Sequence, residues 1–206
     1  MGYILVIVLG YLLGCSNMAW YLAKRNQADF RGNGSGNLGA SNATMLLGWK
    51  AGVLTALHDI GKSVLAVLLA KWLFPGLENG GAVAGIASVL GHIFPFWLKF
   101  RGGKGFASYF GMTLALNWKL ALVVAAAVVL VTLVTDYIVC GTVTTIVTVP
   151  VYMFFTSGWL LAAILCIGTA VIFYKHRENF PRMLNGTEFR VRSALRGENR
   201  LKKDRQ

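Results

Sequence analysis

Long apolar runs alternate with short polar stretches along the chain, and the run lengths set the first expectation. Residues 3–23, 51–74, 81–98, 120–134, 137–155 and 159–174 carry few or no charges. Runs of this size suit helices that cross a hydrocarbon core about 30 Å thick. A further apolar stretch, 106–118, has only 13 residues. As a helix it covers about 20 Å, so it either begins inside the preceding glycine-rich loop or meets a thin patch of membrane. The pattern predicts an all-α, polytopic membrane helix bundle with about seven transmembrane helices. The polar remainder falls into three stretches: 24–50, 99–105 and everything after 174.

Composition agrees with that class. The chain has 206 residues, 56% of them hydrophobic, with a mean hydropathy of +0.59 and 14% charged residues. Soluble domains carry about 25% charged residues. The net charge of +12 would point to nucleic acid in a soluble protein. Here the basic residues flank apolar spans, where topology and anionic headgroups account for them, so no nucleic-acid partner is expected. With seven spans and the N-terminus outside, one face gathers 17 Lys and Arg and the other holds only Lys71 and Lys119. That asymmetry places the three polar stretches and the C-terminus in the cytoplasm. The chain reads as one domain, 1–206, whose basic cytoplasmic tail, 175–206, has a last part that is a candidate for disorder.

The first run lacks a charged leader, and Lys24 and Arg25 follow it instead of preceding it. It is therefore expected to stay as an uncleaved first span. Cys15, Cys140 and Cys166 lie in apolar runs without CxxC spacing and point to neither a disulfide framework nor a metal site. His58, Asp59 and Lys62 sit inside the second run. Charges at such depth rarely face lipid, so they are expected to line the bundle interior or its inner mouth. Thr142, Thr144, Thr145 and Thr148 suit contacts between helices.

The first polar stretch contains NGSGNLGASN, residues 33–42. Gly34-Ser35-Gly36-Asn37-Leu38-Gly39 is formally GxGxxG, but a membrane span precedes it, not the strand that a dinucleotide fold requires. Gly61-Lys62-Ser63 fails as a Walker A ending because residue 56 is Ala. A loop rich in Gly, Asn and Ser instead offers backbone amides and directed side-chain hydrogen bonds to phosphate oxygens. The second stretch holds Gly102-Gly103-Lys104-Gly105, in which glycines let the backbone approach a ligand while Lys104 supplies charge. Lys99 and Arg101 read as headgroup anchors, and His92 as a structural histidine. In the third stretch His176 and Asn179 share a helix face, with Arg182 and Glu188 near enough in sequence to join them.

Taken together, 34–42 (GSGNLGASN), 91–107 (GHIFPFWLKFRGGKGFA) and 174–188 (YKHRENFPRMLNGTE) resemble the three cytoplasmic motifs of the bacterial acyl-phosphate:glycerol-3-phosphate acyltransferase family. The likeness spans nearly the whole chain. It implies a small multi-pass enzyme of the bacterial inner membrane, active at the cytoplasmic face. Such an enzyme transfers an acyl group from acyl phosphate to glycerol 3-phosphate, giving lysophosphatidic acid and phosphate, with no cofactor and no metal. The HxxxxD pair of other glycerolipid acyltransferases does not occur. Carried onto this chain, the motifs make Ser35, Lys104, His176 and Asn179 the catalytic candidates. Gly34, Gly36, Asn37, Gly39, Asn42, Gly102, Gly103 and Glu188 become the substrate-binding candidates. The chain departs from the family at Met45 and Asp136, where Arg is usual, and at Val139, where Ser is usual.

Acyl phosphate is already activated, so positioning and stabilisation of the departing phosphate are the expected contributions. The hydroxyl proton goes to a substrate phosphate, as the resemblance implies, or to His176 as general base. The alternative is a degenerate paralogue or small membrane transporter, since Asp59, Lys62 and Asp136 would also fit a transport path.

Overall fold

The structure is a computed structural model that describes residues 1–195, so the far end of the basic tail lies outside the described residues. Among these residues there are eleven α-helices and no strand. They are α1 (Gly2–Gly14), α2 (Met18–Arg25), α3 (Ala40–Leu47), α4 (Trp49–Leu73), α5 (Gly80–Ile93) and α6 (Phe106–Leu116). The chain continues as α7 (Trp118–Thr135), α8 (Ile138–Ser157), α9 (Trp159–His176), α10 (Asn179–Leu184) and α11 (Val191–Leu195). Six segments are long and apolar enough to cross a membrane: Gly2–Arg25, Trp49–Leu73, Gly80–Leu98, Trp118–Thr135, Ile138–Ser157 and Trp159–His176. The seventh expected span is α6, whose 11 residues reach only about 16 Å. No α6 residue is exposed, so its short length is shielded by its neighbours instead of facing lipid.

Close helix packing depends on small residues. Gly10 and Gly14 of α1 lie against the backbone of Ala84 and Ser88 on α5, where any Cβ would collide. The main core joins α5, α6, α7, α8 and α9 through Ile93, Tyr109, Met112, Val124, Ile146 and Leu165. The lipid-facing sides of α4, α7 and α8 expose Leu57, Leu68, Leu130 and Phe155, as expected of a bundle in hydrocarbon.

Two irregularities are compensated by tertiary donors. Pro150 inside α8 has no N–H, which frees the carbonyl of Ile146, and Thr169 Oγ1 of α9 donates to it at 2.9 Å. Two of the threonines of α8, Thr142 and Thr145, are buried in the bundle as expected of residues between helices. Thr142, Thr144 and Thr145 donate to carbonyls of their own helix, at Ile138, Cys140 and Gly141. The first span is interrupted between α1 and α2. Asn17 caps α2 by accepting from the Trp20 amide at 2.9 Å and donates to the Leu38 carbonyl at 3.2 Å. The carbonyls freed at the break are taken by Trp97 Nε1, on Cys15 at 2.9 Å, and by Lys62 Nζ, on Ser16 at 2.6 Å.

Lys62 is buried beside Asp59, with 2.9 Å between ammonium and carboxylate, and its Nζ lies 2.9 Å from His92 Nδ1. His58 joins through Ser16 Oγ at 3.0 Å. As expected, these groups turn inward. Breaking a buried pair strands a charge, so Asp59→Ala should destabilise the protein by about 3–5 kcal/mol, while Asp59→Asn, which keeps an acceptor beside the ammonium, should lose less. Unfolding midpoints in detergent check this, and equal losses in both variants would contradict it.

Candidate functional site

The three polar stretches meet at one cavity of about 320 Å³. One end is polar, with Ser35, Asn37, Lys104, His176, Asn179 and Glu188 in its wall; the other is apolar, with Phe110, Val128, Val129, Ile138 and Val139. Fold and cavity together define an integral membrane helix bundle whose cavity joins polar groups to an apolar wall.

The first loop is organised by its own side chains. Asp29 Oδ1 accepts from the amides of Arg31 and Gly32, both at 2.9 Å, and the Gly32 and Arg31 amides hold its carboxyl below the usual carboxylate range. Asn42 is fully buried: its Oδ1 accepts from the Ser35 amide at 2.9 Å, and its Nδ2 donates to the carbonyls of Phe30 and Asn37. Asn37 in turn donates to Ser35 Oγ at 2.8 Å, fixing the hydroxyl in the wall. Several loop amides are therefore engaged internally, and the backbone cradle is narrower than composition alone implies. Gly39 and the start of α3 remain in the cavity wall.

The second loop is laid over α5. Gly102 and Gly103 donate their amides to the carbonyls of Ile93 and His92, at 3.0 and 3.2 Å. A Cβ on Gly103 would overlap the His92 ring. Gly105, at φ +96°, then turns the chain into α6, whose first residues also line the cavity. The N-termini of α3 and α6, positive ends of two helix dipoles, thus converge on the polar end.

Lys104 is half-buried and is the one Lys or Arg in the cavity wall among the described residues. Its ammonium donates to Asn179 Oδ1, and Asn179 Nδ2 donates to Glu188 Oε1 at 2.7 Å. Burial pushes the Lys104 pKa down, while the Glu188 carboxylate opposes the shift. The amide of Asn179 thus carries orientation from Glu188 to Lys104. His176 Nδ1 lies 2.8 Å from the Ile172 carbonyl, which can only accept. The proton of the neutral ring is therefore on Nδ1, and Nε2 keeps its lone pair.

Ser35, Asn37, Gly39, Lys104, His176, Asn179 and Glu188 are thus brought together in the wall. Gly34, Gly36, Asn42, Gly102 and Gly103 stand behind it, shaping the loops. Met45 and Val139, two of the family departures, face the cavity. The third, Asp136, is not within a span: it occupies the turn between α7 and α8 at φ +67°. Asp59, expected to line the interior or its inner mouth, reaches the cavity wall, and so does His92, read as a structural histidine. Charge inside an apolar run was the signal for Asp59; nothing in the sequence pointed to Phe189, which also enters the wall.

Comparison with known proteins extends this class to a family. Residues 4–186 match the family described as glycerol-3-phosphate acyltransferase. The glycerol-3-phosphate acyltransferase of Clostridioides difficile is 39% identical over 197 residues, covering 92% of this chain and 95% of its own. That of Thermoanaerobacter pseudethanolicus is 38% identical over 191 residues, with 91% and 95% covered. The crystal structure of PlsY, an integral membrane glycerol 3-phosphate acyltransferase, in its glycerol 3-phosphate form superposes with a TM-score of 0.87 at 31% identity, covering 95% of this chain and 98% of the other. Its lysophosphatidic acid form gives 0.83 at the same identity, covering 95% and 99%. The chain belongs to the glycerol-3-phosphate acyltransferase family.

Replacing Gly103 by Ala should force the second loop off His92 and destabilise the protein by about 1–3 kcal/mol. A midpoint equal to that of the unsubstituted protein would refute the close packing of this loop.

Proposed function

We propose that the protein transfers an acyl group from acyl phosphate to glycerol 3-phosphate, forming lysophosphatidic acid and inorganic phosphate at the bacterial inner membrane. The observation that carries this reading is Lys104 held by the Asn179–Glu188 pair at the polar end of an otherwise apolar cavity. Family membership and relatives described with glycerol 3-phosphate and lysophosphatidic acid support it. The asymmetry of 17 Lys and Arg against two supports an N-terminus outside, with the C-terminus and site at the cytoplasmic face.

In the reaction the glycerol hydroxyl oxygen bonds to the acyl carbon, and the bond from that carbon to the phosphate oxygen breaks. No enzyme nucleophile is required, because the mixed anhydride is already activated. Lys104, the Ser35 hydroxyl and the amides at the starts of α3 and α6 stabilise charge growing on the departing phosphate. The apolar end holds the acyl chain and brings its carbonyl to the acceptor. The hydroxyl proton passes to a substrate phosphate, or to Nε2 of His176, which is free to accept it. Gly34, Gly36, Asn42, Gly102 and Gly103 serve by holding the two loops in register. A transport path receives no support: Asp59 and Lys62 neutralise one another, and Asp136 lies outside the spans.

Lys104→Ala and Ser35→Ala should each lower turnover at least about tenfold. Release of phosphate from palmitoyl phosphate by purified protein, with and without glycerol 3-phosphate, measures it. Near-normal turnover in both variants would sink the site assignment, and no glycerol-3-phosphate-dependent release by the unsubstituted protein would sink the activity. The pH profile gives a further check. Because burial lowers the Lys104 pKa, its ammonium is lost below the ordinary lysine range, and activity should fall there as pH rises. Lys104→Arg, which stays charged, should carry its residual activity to higher pH. An alkaline limb that does not move would assign it to another group.

A further inference from the structure

Beyond α10 the chain crosses the cavity and is tied down on its far side. Glu188 and Phe189 are in the wall, and Phe189 shares it with Val129, Ile138 and Val139 at the α7–α8 end. Two residues later the Val191 amide donates to the Asp136 carbonyl at 3.1 Å, and the Arg192 amide donates to Asp136 Oδ1 at 2.8 Å. The Arg192 guanidinium donates to the Leu133 carbonyl. The Arg190 guanidinium lies 5.7 Å from the centroid of the Tyr137 ring. One turn, 133–137, therefore grips three consecutive residues of the strap through both backbone and side chains.

Asp136 is suited to this place on two counts. Its φ of +67° is left-handed, a region that Asp and Asn tolerate better than most side chains. Its carboxylate oxygen satisfies an amide in the first turn of α11, which has no intrahelical partner there. A side chain without an acceptor there would leave that amide unpaired. The departure at 136 and the docked strap are thus parts of one arrangement.

We propose that Asp136 is a positioning residue that clasps the strap 188–195 over the α7–α8 end of the cavity, holding Glu188 and Phe189 in the wall and keeping water from the acyl donor. The proposal rests on the acyltransferase reading of the site. Acyl phosphate can give up its acyl group to water as well as to glycerol 3-phosphate. In that side reaction a water oxygen bonds to the acyl carbon, the bond to the phosphate oxygen breaks, and fatty acid and phosphate leave, with the water proton taken up by phosphate. A clasped strap favours the bound acceptor; a released strap admits water.

Three single variants of the full chain test this. Asp136→Asn keeps both the accepting oxygen and the tolerance of positive φ. Asp136→Gly keeps the backbone conformation and removes the acceptor. Arg192→Pro removes the donated N–H from the opposite side, at a helix start where proline is accommodated. The measured ratio is acceptor-independent phosphate release to lysophosphatidic acid formed from palmitoyl phosphate. The ratio should rise about fivefold in Asp136→Gly and Arg192→Pro, the effect of losing one helix-cap hydrogen bond, and stay unchanged in Asp136→Asn. The KM for palmitoyl phosphate should rise with it more than kcat falls. Tryptic cleavage after Arg190 in detergent should accelerate in the same two variants. An unchanged ratio and cleavage rate in Asp136→Gly, or impairment of Asp136→Asn equal to that of Asp136→Gly, overturns the clasp. If the unsubstituted protein transfers no acyl group, the reading of the reaction falls, while the cleavage contrast still decides whether Asp136 holds the strap.

Discussion

The buried ammonium of Lys62 is the contact on which the rest of the arrangement stands. It donates to the Ser16 carbonyl, lies 2.9 Å from His92 Nδ1 and is ion-paired at 2.9 Å with the Asp59 carboxylate. Each partner belongs to a different part of the fold: the break in the first span, α4, and α5. In hydrocarbon an unsatisfied backbone carbonyl costs several kcal/mol, so a broken span persists only where something donates to it. Lys62 and Trp97 do so, and the break in turn frees Asn17 to hold the first loop at Leu38. From the same knot His92 supports the second loop from beneath. Cavity floor and cavity rim are therefore one construction, and a charge deep in the bundle positions groups that never touch it.

On that support the polar end obtains positive potential from few charges. A single ammonium, two helix N-termini and a hydroxyl held by Asn37 face a space walled largely by apolar side chains. Low surrounding polarity makes each of them count for more than it would in water. Asn179 is the economical part. One amide accepts from Lys104 and donates to Glu188, so the ammonium is oriented without a carboxylate beside it to neutralise it. Met45 brings no charge to the wall, where Lys104 is the one cation among the described residues.

Much of this was legible in the sequence, for identifiable reasons. Hydropathy located the long spans because a bilayer demands uninterrupted apolar length, and the depth of Asp59 and Lys62 marked an interior pair because lipid excludes charge. The motifs gathered Ser35, Lys104, His176 and Asn179 correctly into one cavity. Other features had no local signature. The interruption at residues 15–17 contains neither Gly nor Pro, and only distant donors make it tolerable. Asn42 looked like a ligand because an asparagine in a glycine-rich loop offers the same groups to a phosphate or to its own backbone; here it chose the backbone. The threonines of α8 likewise had a carbonyl four residues away, so their hydroxyls are satisfied within the helix while Thr142 and Thr145 are buried between helices. Asp136 gave no sign of its role because its partners lie more than fifty residues away, in the strap after α10.

The shortness of α6 has a bearing on how the site meets its reactants. A helix of about 16 Å with no exposed residue, packed among the longer α4, α5, α7 and α8, starts on the cavity that Lys104 also lines. In the proposed reaction the lipid-tailed donor enters that cavity by diffusing sideways, with its chain in hydrocarbon throughout. For such a reactant the quantity that governs occupancy is its mole fraction in the membrane, not its bulk concentration. The water-soluble acceptor arrives by a separate, three-dimensional search. Dilution of the bilayer with inert lipid thus acts on one reactant and leaves the other untouched.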